Sequence, residues 1–389
     1  MRRSRNPPAQ ILCGWIEKIM GSNEDSAQSV NASSIKITDV TQDGDTLTFA
    51  ITSQKSSNSA GVCVFRTYED FEWLQQSLFS QEDVPGLQGV IFPPLPGKPL
   101  PSTSLSQSKA LKQLGFLALG DEWMIYCKAL ELYLRQVAAH TTLSKSKALY
   151  SFLNSSESPG KQRGKKGILN RLSQAMEEMR KEGHKDVDEF FQSERDSSTN
   201  LSALFKSSTE KFLDVVLNKQ RLALACGHFS TSLHLCVNQD NPTAVAFSKI
   251  CLKLSDIIEA VKINYEKVSD NDISTLGLGL DLESRYQEAK REMLFRRTCK
   301  LVELETANRN SERAKPNKKA IMEGVQKATQ KEFNIISSVA KQEIEHYHRD
   351  RVGLLRDFLI CWCEKQLSAA RESSALLSQH LDACKKFAV

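Results

Sequence analysis

The sequence predicts an α+β domain built on a three-stranded sheet with helices, followed by an all-α domain of three long helices that packs as a coiled-coil-like dimer. Three observations carry this expectation. From Ile35 to Arg66 the apolar residues alternate, the period of strands with one buried face. From Leu282 to Lys315 the chain runs 34 residues without proline or glycine, and Leu282, Tyr286, Ala289, Met293, Leu301 and Leu304 mark one helical stripe, apart from a gap at Arg296 and Arg297. A helix of that length reaches about 50 Å, more than a compact domain covers, so it needs long neighbours. Residues 186–237 and 320–387 supply them: Phe333, Ile336, Ala340, Ile344 and Tyr347 step by threes and fours, and Leu355, Phe358 and Trp362 resume the stripe.

Composition narrows the class. With 389 residues, 40% hydrophobic and 25% charged, the chain can fill more than one core. Its apolar runs fall short of the roughly 18 residues of a membrane span, and Glu17 and Lys18 interrupt the N-terminal one, so we expect a soluble cytoplasmic protein without a signal peptide. The ten cysteines form no CxxC pair and no metal-ligand spacing, which suits reduced, buried thiols; Cys361 and Cys363, two apart on a helix, face different ways. The net charge is +5, and residues 161–185 carry eight Lys or Arg against three Glu, so this one segment equals the whole surplus. A local basic stretch beside apolar residues suits an anionic membrane surface and argues against nucleic acid.

In chain order, residues 1–29 are a leader. Ile11, Leu12, Trp15, Ile16, Ile19 and Met20 fall on one helical face behind Arg2, Arg3 and Arg5, and two readings stay open: a helix packed on the first domain, or one touching membrane. Residues 30–154 are the α+β domain. IKITDV, an Asp43-Gly44 turn and TLTFAIT form a hairpin, VCVFR a third strand and YEDFEWLQQSLF a helix. IFPPLPGKPLP follows as an extended proline loop, and helices near SKALKQLG and EWMIYCKALELYLRQVAAH close the unit. Residues 155–185 are a basic connector in which Ile168, Leu169, Leu172, Ala175, Met176 and Met179 form an apolar face, Lys165, Lys166 and Arg171 flanking it. Residues 186–389 are the long-helix domain: 186–237, then 243–315 with a kink or break at Gly277 to Gly279, then 320–387 after Pro316 ends the preceding helix.

Phe65-Arg66-Thr67-Tyr68-Glu69-Asp70-Phe71 followed by Pro93-Pro94-Leu95-Pro96-Gly97-Lys98 resembles the PX domain, a phosphoinositide-binding module. A PX-like domain before long helices is similar to the sorting nexins with a BAR domain. VDEFF and LFRRTCKLVELETANR look closest to the subgroup of sorting nexins five, six and thirty-two. The resemblance implies a peripheral subunit on early endosomal membranes and tubules, with phosphoinositide-containing membrane, a second BAR-domain sorting nexin as heterodimer partner, and cytosolic tails of transmembrane cargo as its partners. It implies no cofactor and no metal.

The headgroup pocket departs from the PX pattern. Where PX domains that hold phosphatidylinositol 3-phosphate carry an arginine before the motif's aromatic, this chain has Thr67, and the second arginine aligns with Tyr126. Threonine offers no bidentate cationic fork. Arg66, Tyr68 and Lys98 remain as headgroup candidates, although Arg66 as a strand neighbour points to the other face and Tyr68 suits packing at the helix start better than ring stacking. In the subgroup an insertion after the proline loop forms a groove for cargo tails; here it corresponds to 102–119, where Phe116, Leu117 and Leu119 either line the groove or cover the core. The resemblance places Ile168, Leu169, Leu172 and Met176 in the membrane. Lys315, Lys318 and Lys319 are expected at a helix tip, where they either touch headgroups or are simply solvated, and Phe333, Tyr347, Phe358 and Trp362 are expected in the dimer interface.

No catalytic set stands out. Gly277 and Gly279 lack the third glycine of a dinucleotide fingerprint, and the histidines have no paired nucleophile, so we expect no enzyme. The alternative expectation is a soluble scaffold whose PX-like unit binds only protein.

Overall fold

The computed structural model describes residues 31–54, 61–81, 83–99, 110, 114–119, 123–159, 185–236 and 245–386. Strands β1 (Lys36–Asp43), β2 (Thr46–Ser53) and β3 (Val62–Thr67) form an antiparallel sheet in the order β1-β2-β3. The hairpin loop is Gly44-Asp45, one residue later than expected, and Gly44 takes φ 56°, which only a residue without Cβ adopts freely. The register shifts between Ile37 and Asp39. The Ile37 amide then finds the Glu131 carboxylate at 3.0 Å, so the irregularity leaves no orphaned donor there.

Alternation along β2 turns Phe49 and Ile51 fully inward. Helix α1 (Tyr68–Phe79) follows β3 directly, and Asp70 fastens its start by accepting the Thr67 amide at 2.8 Å and the Thr67 hydroxyl at 3.1 Å. Helices α2 (Met124–Ala139) and α3 (Lys147–Asn154) close the core, with Ser146 capping the latter. Phe71 stands edge-on to Phe49 at 6.0 Å and to Phe152 at 5.0 Å. Each such buried aromatic contributes roughly 1.5–3 kcal/mol relative to exposure.

The long helices are α4 (Glu189–Leu235), α5 (Val245–Asp272), α6 (Leu278–Glu312) and α7 (Lys319–Lys385). α5 and α6 are joined without a break by a π turn, Ile273–Gly277, where a kink was expected. Among the described residues no helix is long and apolar enough to cross a membrane. The chain forms two compact units. One comprises Met1–Phe205 and Leu282–Leu354, so it holds the sheet together with the first turns of α4, most of α6 and the first half of α7; the other comprises Lys206–Asp281 and Leu355–Val389.

Candidate functional site

The residues of the expected headgroup pocket are engaged inside the protein. Arg66 has no exposed surface; its Nε donates to the Phe152 carbonyl at 2.9 Å, and its two terminal nitrogens donate to the carbonyls of Phe65 and Ser155. Burial pulls its pKa below the ordinary arginine value, partly offset by the nearby Asp70 carboxylate. Arg66 is therefore an internal tie between β3 and the end of α3, and its placement gives it no path to a headgroup. Tyr68 and Tyr126 are buried, and their hydroxyls donate to the carbonyls of Pro96 and Gly97, each at 2.8 Å. Desolvation holds both phenols far above the usual tyrosine range. Lys98 lies exposed beyond them.

A third donor reaches the same loop from a long helix: Arg285 of α6 donates to the Pro94 carbonyl at 2.9 Å. It belongs to a set of contacts that seat the α+β portion on α6 and α7. Arg296 donates to the Val90 carbonyl at 2.7 Å and to Gln88 at 3.2 Å, beneath the rings of Phe92 and Phe79. Burial lowers its pKa to about 10, against the opposing field of Glu292. Glu343 of α7 accepts the Ile91 amide at 3.1 Å and lies 3.2 Å from His140 Nε2. His140 Nδ1 accepts the amides of Thr142 and Leu143, so it bears no proton and Nε2 is the donor to Glu343. Gly86 and Gly89 let the loop settle on α7: a Cβ at Gly89 would stand 2.5 Å from the Ile336 carbonyl oxygen. Ile91 joins Phe191, Met293, Leu294, Ala340 and Ile344 in one apolar cluster.

A band of buried charge lies beside this seat. Arg297 pairs with Asp186, donates to Ser337 Oγ at 3.0 Å and stacks 3.5 Å over Phe191. Lys290, wholly buried, pairs with Glu194 at 2.8 Å, while Glu283 receives Tyr347 and Arg351, each at 2.9 Å. Burial by itself would raise the pKa of Glu194, but Lys290 and His348 outweigh it and hold the carboxyl below its ordinary value. Nothing in the sequence marks Arg285, Glu343, Gly86 or Gly89 as site residues, and the gap at Arg296 and Arg297 is the one signal that points here.

The remaining candidates separate. Phe116, Leu117 and Leu119 are buried in and beside a short 3-10 turn, where they cover the core. Phe333, Tyr347 and Phe358, expected at the dimer interface, are buried within the single chain, and Trp362 is half-buried with its indole N–H on Asp272 at 2.7 Å. Their stripe is satisfied by this chain's own helices, which corrects the expectation that a partner covers it. The exposed apolar side chains of the second unit lie elsewhere. On α4, Val215, Leu222 and Phe229 recur every seven residues; α5 exposes Phe247 and Ile250; α7 exposes Ile360, Leu367 and Leu381. In the same unit a groove of about 590 Å³ is lined by Asn264, Val268, Ala370, Ser374 and Leu377 among others. Lys315 and Lys318 are exposed between α6 and α7, and Lys319 is exposed at the start of α7. Ile168, Leu169, Leu172, Met176, Lys165, Lys166 and Arg171 lie outside the described residues, as does the leader. Among the described residues no cluster of histidine, cysteine and carboxylate could hold a metal.

Residues 54–156 match the family model of the PX domain. Over nearly the whole chain the sequence is similar to sorting nexin-6 of Homo sapiens, 27% identical across 91% of this chain and 92% of that protein. Sorting nexin-32 of Mus musculus is 26% identical across 90% and 92%. The cryo-EM structure of the SNX-BAR Mvp1 tetramer superposes with a TM-score of 0.50 at 16% identity, covering 90% of this chain and 100% of that one, a likeness of fold.

Proposed function

Because this chain is a sorting nexin with PX and BAR domains, we propose that it is a non-enzymatic coat subunit that binds endosomal membrane from the cytoplasm, senses or drives its curvature, and sorts cargo for retrograde transport. The observation that carries this reading is the apolar surface of the second unit. Val215, Leu222 and Phe229 at heptad spacing on α4, and Ile360 and Leu367 seven residues apart on α7, are apolar side chains that a lone chain leaves in water. A second BAR-domain chain is the occupant that suits it.

The pocket supports pairing with a different sorting nexin. With Thr67 and Tyr126 in place of arginines, and Arg66 engaged by backbone carbonyls, the pocket has little charge to offer a 3-phosphate. A partner that keeps both arginines would bring phosphoinositide affinity, and two weak membrane contacts in one dimer reinforce each other. The PX portion is then left to bind a cargo tail by strand addition at a sheet edge, β1 and β3 being the edges that carry no further strand among the described residues.

Sedimentation with anionic liposomes, with and without phosphatidylinositol 3-phosphate, tests the reading in mixtures with such a partner. Leu222→Asp with Phe229→Asp should leave helix content intact, abolish pairing and remove most of the sedimented chain. A folded, monomeric double variant that still sediments and tubulates like the unmodified protein would sink the dimer-dependent reading.

A further inference from the structure

Ser158 is the one serine or threonine in the sequence that precedes a proline, Pro159, and a lysine stands three residues after it. Its hydroxyl donates to Asp70 Oδ1 at 2.6 Å, and Asp70 has no exposed surface. The other oxygen of that carboxylate accepts the amide and hydroxyl of Thr67 at the start of α1. The segment is held a second time by Arg66, which donates to the carbonyls of Phe152 and Ser155. Ser156 and Glu157 are exposed while Ser158 is half-buried, so the hydroxyl sits at the outer end of a buried anchor.

A phosphate does not fit this arrangement. Transfer from a nucleoside triphosphate forms a bond from Ser158 Oγ to the γ-phosphorus, breaks that phosphorus from the nucleoside diphosphate that leaves, and passes the hydroxyl proton to a base of the kinase. The modified side chain has lost the proton that Asp70 accepted and carries about −1.5 to −2 charge on acceptor oxygens alone. The N-terminus of α1 attracts anions, but Glu69 and Asp70 already occupy its first turn. Arg66, the cation beside Asp70, is engaged by three carbonyls. We propose that Ser158 is a phosphorylation site for a proline-directed serine kinase, and that its modification releases residues 155–159 from α1. The release concerns α1 and the segment that follows α3, and it does not depend on the membrane reading.

The full chain treated with ATP and a purified cyclin-dependent kinase should carry one phosphate, located at Ser158 by peptide mass spectrometry and absent from Ser158→Ala. Hydrogen exchange at the amides of Thr67 and Glu157 should then accelerate about tenfold, with the sheet amides unchanged. Asp70→Asn should return exchange in the phosphorylated chain toward the unmodified rate; if that variant does not fold, Ser158→Asp should loosen the same amides. Failure to modify the native chain under conditions that modify the denatured one overturns the proposal. So does a phosphorylated chain whose exchange at these amides is unchanged or slower, the second result meaning that Arg66 captures the phosphate.

Discussion

Arg296 and Arg297 interrupt an otherwise regular apolar stripe, and each has a buried destination. Arg296 pairs with loop carbonyls of the PX portion, and Arg297 with Asp186. Buried guanidinium groups persist only when their donors are matched, and here carbonyls and a carboxylate match them. Gly89 makes the same seat possible by its lack of a side chain. A Cβ there would lie 2.5 Å from the Ile336 carbonyl oxygen and 2.9 Å from the Ala340 amide nitrogen, both backbone atoms of α7 that have little room to yield. Gly89→Ala should therefore destabilise the unit that holds the sheet by about 1–3 kcal/mol, read as a lower Tm in calorimetry. An unchanged Tm would show that the seat adjusts freely.

At the scale of the element, glycines within the long helices divide by what surrounds them. Gly324 in α7 has open space where a Cβ would go, so Gly324→Ala should stabilise by roughly 1 kcal/mol through helix propensity alone. Gly279, in the first turn of α6, faces the Phe358 ring, whose atoms would lie 2.7 Å from a Cβ. The same substitution there gains the propensity and loses more to the displaced ring, so Gly279→Ala should destabilise by about 1–2 kcal/mol. In a Phe358→Leu background the penalty should shrink, which a double-mutant cycle on thermal unfolding would read; additive effects would exclude the contact as the cause. The π turn before it leaves Thr275 donating to the Asn271 carbonyl, and Asp272 receives Lys219, Trp362 and Gln366.

For the molecule as a whole, the charge of residues 161–185 equals the net charge of the chain, and this concentration has a measurable consequence at a membrane. Each basic residue near an anionic surface contributes about 1 kcal/mol, and the attraction decays over about 10 Å at 0.1 M salt. Liposome binding should weaken steadily as salt rises. Leu169→Glu with Leu172→Glu should reduce it further without changing helix content or pairing. Binding and tubulation indifferent to both changes would make this segment a structural helix.

The sequence by itself determined the sheet, the length of the helices and the family. Alternation along β2 and the three-and-four steps of α6 and α7 are local records of which face is buried, and the PX motif is a contiguous string. The same periodicity could not say what covers a face. Phe333, Tyr347 and Phe358 read as a seam for a partner and prove to be this chain's own interior, while Val215, Leu222 and Phe229 on α4 are left exposed. Nor could it show that Arg285 and Glu343, distant in sequence, meet the proline loop and its neighbour. Those pairings are tertiary decisions: an arginine or glycine at a break in the pattern is ambiguous until the carbonyl, carboxylate or backbone that comes against it from hundreds of residues away is known.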